Sequence, residues 1–253
     1  MRCLGSLALS AALVPPCAGC RRDTEVVTVT VFAAASLAQS MRALERAYEA
    51  DHPRVDIVPS FAGSQVLAAQ IIEGAPADMF ASANLTQLDR VARENDVESR
   101  RVFATNDLVV IVASDSSIRG VEDLVNPGVR VVMGVPEAPV GRYAREALAA
   151  IGLLTEVEAR VVSNELDVRG VVAKVRLGEA DAGLGYATDV RNDRELTAIP
   201  LPPGARGVAA HYELALIARS RAEGDTPARE FAEFITSPRG LAILADHGFG
   251  PPT

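Results

Sequence analysis

Apolar positions in this chain fall into short runs and helical stripes that alternate from residue 26 to the end. Val26-Val27-Thr28-Val29-Thr30-Val31-Phe32 is β-branched or aromatic throughout and predicts a buried strand. Ala33, Ala34 and Ala35 are small enough for a tight turn that another group can approach closely. Ser36 then stands where a helix begins, and Leu37, Met41, Leu44 and Tyr48 form one apolar stripe at helical spacing. Residues 55–58 read as a second strand. A short helix over 65–73 follows, with Val66, Leu67, Gln70 and Ile71 inward and Gly74 and Pro76 stopping it. Residues 78–82 predict a third strand and 85–95 a third helix.

The pattern then changes character. Residues 108–113, Leu-Val-Val-Ile-Val-Ala, are continuous enough to be buried on both faces. A second α/β series follows: strand 129–133, loop 134–141, helix 142–151 capped by Gly152, strand 158–162, helix 168–177 stopped by Gly178, and strand 181–186. Residues 213–218 match 108–113 in composition. Thr226-Pro227 and Ser237-Pro238 each put a hydroxyl at an N-cap and Pro at the first helical position of a closing helix.

Repeated βα units imply mostly parallel sheets with right-handed crossovers. Two such units joined by two long apolar strands give an α/β protein of two lobes, each a sheet flanked by helices. The expected division is residues 26–106 with 219–253 in the first lobe and 107–218 in the second. A hinge would lie at the two crossings. Ligands in such sheets sit at the carboxyl ends of strands against helix N-termini.

Composition narrows the function. The 253 residues are 49% hydrophobic, with no Trp and a formal charge of −8. Neither base stacking nor electrostatic attraction to nucleic acid or an anionic membrane is favoured. His52, His211 and His247 are scattered, so a protein-built zinc site is not expected. Ser64 lies in Ala-Gly-Ser-Gln, without the second glycine of a nucleophile elbow. Gly183-Leu184-Gly185 lacks a third glycine at dinucleotide-binding spacing, and no Gly-Lys-Ser/Thr occurs. The reading is a binding protein and not an enzyme.

The first 20 residues read as a targeting segment. Arg2 precedes an apolar run from Cys3 to Val14, too short to span a membrane as a mature helix. Cys17-Ala18-Gly19-Cys20 resembles a bacterial lipoprotein box that would lipidate Cys20. Cys17 departs from the leucine usual there, and an ordinary secretory signal is the alternative. Residues 21–25 form a charged linker. All three cysteines fall at or before position 20, so the domain beyond would hold no disulfide. Localisation outside the cytoplasmic membrane follows, periplasmic or at the cell surface, with the membrane touched only through a lipid anchor.

Four helix starts offer donors: Ser36, Ser64, Pro139-Val140-Gly141 and Asp167-Val168-Arg169. From about Val27 onward the chain resembles the extracytoplasmic molybdate-binding proteins of ABC uptake systems. The residues that carry the resemblance are Val31-Phe32-Ala33-Ala34-Ala35-Ser36-Leu37, Phe61-Ala62-Gly63-Ser64, Gly74-Ala75-Pro76-Ala77-Asp78, Gly141-Arg142-Tyr143-Ala144, Val168-Arg169-Gly170 and Gly185-Tyr186-Ala187-Thr188-Asp189. The resemblance implies the two-lobed type II periplasmic-binding fold. Its ligand would be molybdate, and tungstate as well, with no cofactor. Hydroxyls of Ser36 and Ser64, backbone N–H groups of Val140 and Val168, and the Tyr186 hydroxyl would hold the ion, and an ABC permease would receive it from a monomer.

Each residue also has a plainer reading. Ser36 and Ser64 alone read as N-caps, Val140 and Val168 as packing residues, and Tyr186 as a core aromatic. Arg142 and Arg169 are expected on the surface or behind the site. Asp167, a carboxylate beside a dianion, is expected to cap its helix with its side chain turned away. Sulfate, phosphate or tungstate alone are alternative ligands on the same fold. A sensory effector domain and a periplasmic enzyme are further alternatives.

Overall fold

The computed structural model describes residues 26–205, 209–218 and 226–252. The expected signal segment, the lipoprotein cysteine Cys20 and the 21–25 linker lie outside these residues. Strand β1 (Val27–Ala34) runs into a 3₁₀ turn (Ala35–Leu37) and helix α1 (Ala38–Glu49). Leu37, Met41, Leu44 and Tyr48 are all buried, as the stripe predicts. Then follow β2 (Val55–Ala62), α2 (Ser64–Ile72), β3 (Met79–Ser82), α3 (Leu85–Glu94) and the long β4 (Val97–Ala113). The second series is β5 (Val131–Gly134), α4 (Pro139–Ala150), α5 (Leu154–Glu158), β6 (Val161–Glu165), α6 (Val168–Arg176), β7 (Ala182–Tyr186) and β8 (Leu196–Pro200). Strand β9 (Ala209–Ile217) and helices α7 (Thr226–Thr236) and α8 (Pro238–Asp246) finish the described chain.

The strands form the path β2-β1-β3-β9-β4-β7-β5-β6, with β8 on the free side of β4. Within each lobe the β1, β2, β3 and β5, β6, β7 pairings are parallel, as βα units require. Strand β4 joins the two lobes. Residues 97–107 pair antiparallel with β9, and from Leu108 the strand pairs with β7 and β8. The run 108–112 is therefore sandwiched between strands and buried throughout. Bulges break the register between Glu98 and Arg101 and between Val102 and Ala104, and Ser99 adopts a positive φ of 54° at the first.

Several elements differ from the pattern reading. The segment 213–218, expected as a strand of the second lobe and a hinge, is the closing part of β9 up to Ile217, and β9 pairs with β3 and the first part of β4. The second crossing falls at the start of β9, where Ala209 faces Asp107. Composition cannot say which sheet an apolar strand joins. Residue 158 ends helix α5, and the strand expected at 158–162 begins at Val161 as an edge strand that continues through polar Ser163 to Glu165. The inward face of α2 is Ser64, Leu67, Ala68 and Ile71, while Gln70 is exposed and Val66 half-buried. The polar first half of β4 and the short strand β8 were not expected. Helices α7 and α8 pack on the first lobe: Tyr48 of α1 meets Phe231 and Phe234 at 5.1 and 5.4 Å.

Candidate functional site

The carboxyl ends of β1, β3 and β7 and the starts of α2, α4 and α6 meet between the lobes. They enclose a cavity of ≈ 20 Å³ lined by small residues of the 34–36 turn together with Ser64, Val140, Val168 and Tyr186. One water-sized sphere needs roughly 10–15 Å³ by this measure, so the space between the closed lobes is small. All five residues that the resemblance nominated as ligands line this one cavity.

Ser36 and Ser64 are not N-caps. The caps of the 3₁₀ turn and of α2 are Ala34 and Gly63, neither with a side-chain capping bond. The two hydroxyls are drawn to tertiary partners instead. Ser36 Oγ lies 2.9 Å from the Tyr212 hydroxyl. Ser64 Oγ accepts from the Ala83 N–H at 3.0 Å, which leaves its own proton free to donate.

The second lobe presents backbone. Pro139 at the start of α4 has no N–H, so Val140 offers the first donor of that helix. Asp167 caps α6, and its carboxylate accepts from the N–H groups of Arg169 at 2.8 Å and Gly170 at 3.3 Å. The cap uses those two donors and not the Val168 N–H. The other Asp167 oxygen pairs with the Arg169 guanidinium at 3.1 Å. Its negative charge is thereby engaged on both oxygens; Asp167 caps its helix as expected, but it also stands in the cavity wall instead of being turned away.

Tyr186 ends β7 with its ring buried and its hydroxyl without a hydrogen-bond partner among the described residues. Burial raises this phenol well above its ordinary pKa, so it keeps its proton and remains a donor. A buried hydroxyl with nothing to bond costs about 1–3 kcal/mol, a cost that a ligand in the cavity would remove.

Among the described residues, no Lys, Arg or His lines the cavity. Arg142 bonds Glu146 and Thr86, and Arg169 bonds Asp167 and the Phe61 carbonyl at 3.1 Å. Both stay behind the site, as expected. Arg169, Arg176 and Arg191 line a separate outer groove on the far side of Ser36. Among the described residues, no three His, Cys, Asp or Glu side chains come together as a metal site.

The lobes are held together across the cavity. Gln65 Nε2 donates to the Leu166 carbonyl at 2.7 Å and Gln87 Nε2 to the Glu137 carbonyl at 3.3 Å. A Cβ at Gly63 would come within 2.5 Å of that Leu166 oxygen, so only glycine lets the lobes close there. Gln65, Gln87, Ala83, Asn106 and Tyr212 were not singled out from sequence. Gly63 stood in a quoted motif, but its steric role needs the opposite lobe to be visible.

Comparison with known proteins agrees with this geometry. Residues 29–250 match the family described as bacterial extracellular solute-binding protein. The molybdate-binding protein ModA of Mycobacterium tuberculosis is 36% identical over 228 residues, covering 89% of this chain and 85% of that protein. The molybdate-binding protein ModA of Escherichia coli is 32% identical over 232 residues, covering 87% of this chain and 88% of that protein. In fold, the chain is similar to the periplasmic molybdate-binding protein of Azotobacter vinelandii. That structure has a TM-score of 0.77 at 22% identity and covers 89% of this chain and 100% of its own.

Proposed function

The chain belongs to the family of bacterial extracellular solute-binding proteins, and from that premise we propose that it captures molybdate, and tungstate with it, for an ABC permease. Ser36, Ser64 and Tyr186 donate hydroxyl protons to the ion, and Val140 and Val168 donate backbone N–H groups. The observation that carries this reading is a cavity lined by five donors, with no cation in its wall and its one carboxylate already engaged. A dianion enclosed away from water needs such a shell, and the helix N-termini add the favourable ends of their dipoles.

Magnitudes are sufficient. Hydrogen bonds to a charged group contribute ~1.5–3 kcal/mol each, so five bring the affinity to about the nanomolar range after association costs. Net negative charge does not oppose this, because the local donors set the site. The cross-lobe bonds of Gln65, Gln87 and Arg169 mark a closed cleft, so the ion enters when the lobes part at Asp107/Leu108 and Ala209. The subunit makes and breaks no bond. It acts as a monomer outside the cytoplasmic membrane, anchored through Cys20. No helix among the described residues is long and apolar enough to cross a membrane.

The test is calorimetric titration of the mature protein with molybdate, tungstate, sulfate and phosphate. Molybdate and tungstate are expected to bind tightly, and sulfate and phosphate far more weakly. Sulfate or phosphate binding as tightly as molybdate overturns the assignment. Mass spectrometry of the mature N-terminus decides whether Cys20 is the lipidated first residue.

A further inference from the structure

Of the five donors, Ser36 is the one whose proton can be drawn away from the cavity by the protein. Its Oγ lies 2.9 Å from the Tyr212 hydroxyl, and either oxygen could be the donor. If Ser36 donated to Tyr212, it would turn lone pairs toward a dianion. The layer behind decides the matter. Asn106, buried on β4 beside the change of partner strand, directs Nδ2 at two oxygens: Thr188 Oγ1 at 2.8 Å and the Tyr212 hydroxyl at 3.3 Å. An amide nitrogen only donates. With Nδ2 turned to the two hydroxyls and the buried Oδ1 left without a partner among the described residues, the Tyr212 oxygen accepts from Asn106 and has its single proton left for Ser36. Ser36 Oγ accepts that proton and keeps its own for the ligand.

We propose that Asn106 and Tyr212, neither of which lines the cavity, are positioning residues that fix Ser36 as a donor to the bound oxyanion. The direction of the chain, Asn106 to Tyr212 to Ser36 to ligand, is set before the ion arrives. The Tyr212 ring is held edge-on by Phe103, Tyr186 and Phe249, with centroids 6.2, 6.3 and 5.2 Å away, so its hydroxyl has one place to be. Burial holds its phenol far above the ordinary range, so the proton it passes forward is always present. The same Asn106 amide holds Thr188, in the 187–190 turn directly after Tyr186. One side chain at the junction of the lobes thus braces a hydroxyl donor from each.

This inference rests on the oxyanion reading above, and the experiment separates the two. Molybdate is titrated calorimetrically into the wild type, Tyr212→Phe, Ser36→Ala and the double variant. The hydrogen bond that Ser36 accepts fixes its rotamer and polarises its hydroxyl. Tyr212→Phe is therefore expected to weaken binding about fivefold in the wild-type background and not at all in the Ser36→Ala background. Asn106→Leu, taken through the same cycle, is expected to give a smaller loss that also vanishes with Ser36→Ala, and it decides the matter if Tyr212→Phe does not fold. An unchanged affinity in Tyr212→Phe, with the wild type binding tightly, overturns the inference alone. An equal loss in both backgrounds also overturns it, because that reports general loosening and not a proton directed through Ser36. A wild type that binds none of the four oxyanions overturns the functional reading, and this inference falls with it.

Discussion

The two lobes furnish the cleft by different means. The first lobe offers hydroxyls, Ser36 and Ser64, and each is a rotor that could point its proton elsewhere. Each accordingly has a partner behind it, Tyr212 for Ser36 and the Ala83 N–H for Ser64. The second lobe offers the N–H groups of Val140 and Val168, whose direction is fixed by the helix they begin, and neighbours narrow the choice of donor. Pro139 has no N–H to give, and Asp167 consumes those of Arg169 and Gly170. A hydroxyl needs supporting contacts to become a reliable donor, whereas a helix start needs only its cap. The valine side chains at 140 and 168 are thereby free to pack, and both are 3% exposed.

The contrast predicts opposite responses to substitution. Ser36→Ala combined with Ser64→Ala removes two donors and is expected to weaken molybdate binding by about 10²–10⁴-fold, from ~1.5–3 kcal/mol each. At Val168 the side chain should hardly matter and the N–H should. Val168→Ala is expected to leave affinity within about twofold, while Val168→Pro should cost about 10–100-fold. Proline is tolerated at the first helical position, and Asp167 already has the extended backbone (φ −150°, ψ 172°) required before it. Parallel titrations of these variants check the comparison. A loss in Val168→Ala matching that in Val168→Pro would remove the distinction between the lobes.

Local features explain what was legible in the chain. The β1 run and its helical stripe are short-range periodicities, and the elements they predict are present. Asp167 was readable as a cap because a cap concerns four consecutive residues. Beyond that range the signal fails. Ser36 looks like an N-cap until Tyr212, 176 residues later, claims its hydroxyl. Asn106 is a buried amide in a strand, a visible oddity, but its partners lie 82 and 106 residues away. Residues 97–107 carry Glu98, Arg100 and Arg101 and read as no strand, because Arg100 and Arg229 satisfy carboxylates along the sheet. The five site residues could be gathered from sequence only through resemblance, since nothing in their spacing brings them together.

Tyr186 belongs to the second lobe but presents a hydroxyl, so it tests whether the contrast is one of lobes or of donor types. Its oxygen has no partner behind it, unlike those of Ser36 and Ser64. Tyr186→Phe should therefore weaken molybdate binding about tenfold while making the unliganded protein more stable by about 1 kcal/mol, because an unsatisfied buried group is removed. Urea midpoints with and without molybdate measure both terms. A fall in unliganded stability would mean that the phenol has a structural partner and is not held in reserve for the ligand.

The smallest expected effect concerns the support of that tyrosine. Asp189 accepts the Tyr186 N–H at 3.0 Å. Burial, reinforced by the charge of Asp167 and only partly offset by that hydrogen bond, pushes its carboxyl up to about 7 from an ordinary 3.8. Between those two values the folded protein binds a proton that the unfolded chain has released. The stability contributed is therefore full below about 3.8 and declines as pH rises through about 7. An ionised Asp189 behind the cleft also opposes a dianion, so molybdate affinity should fall several-fold as pH rises across the same upper limit, with proton uptake on binding at and just above it. Asp189→Asn keeps an acceptor for Tyr186 and removes the charge. Affinity measured against pH should then become flat near neutrality, while the responses to Ser36→Ala and Val168→Pro stay as they were. A slope that survives in Asp189→Asn would place the titrating group elsewhere.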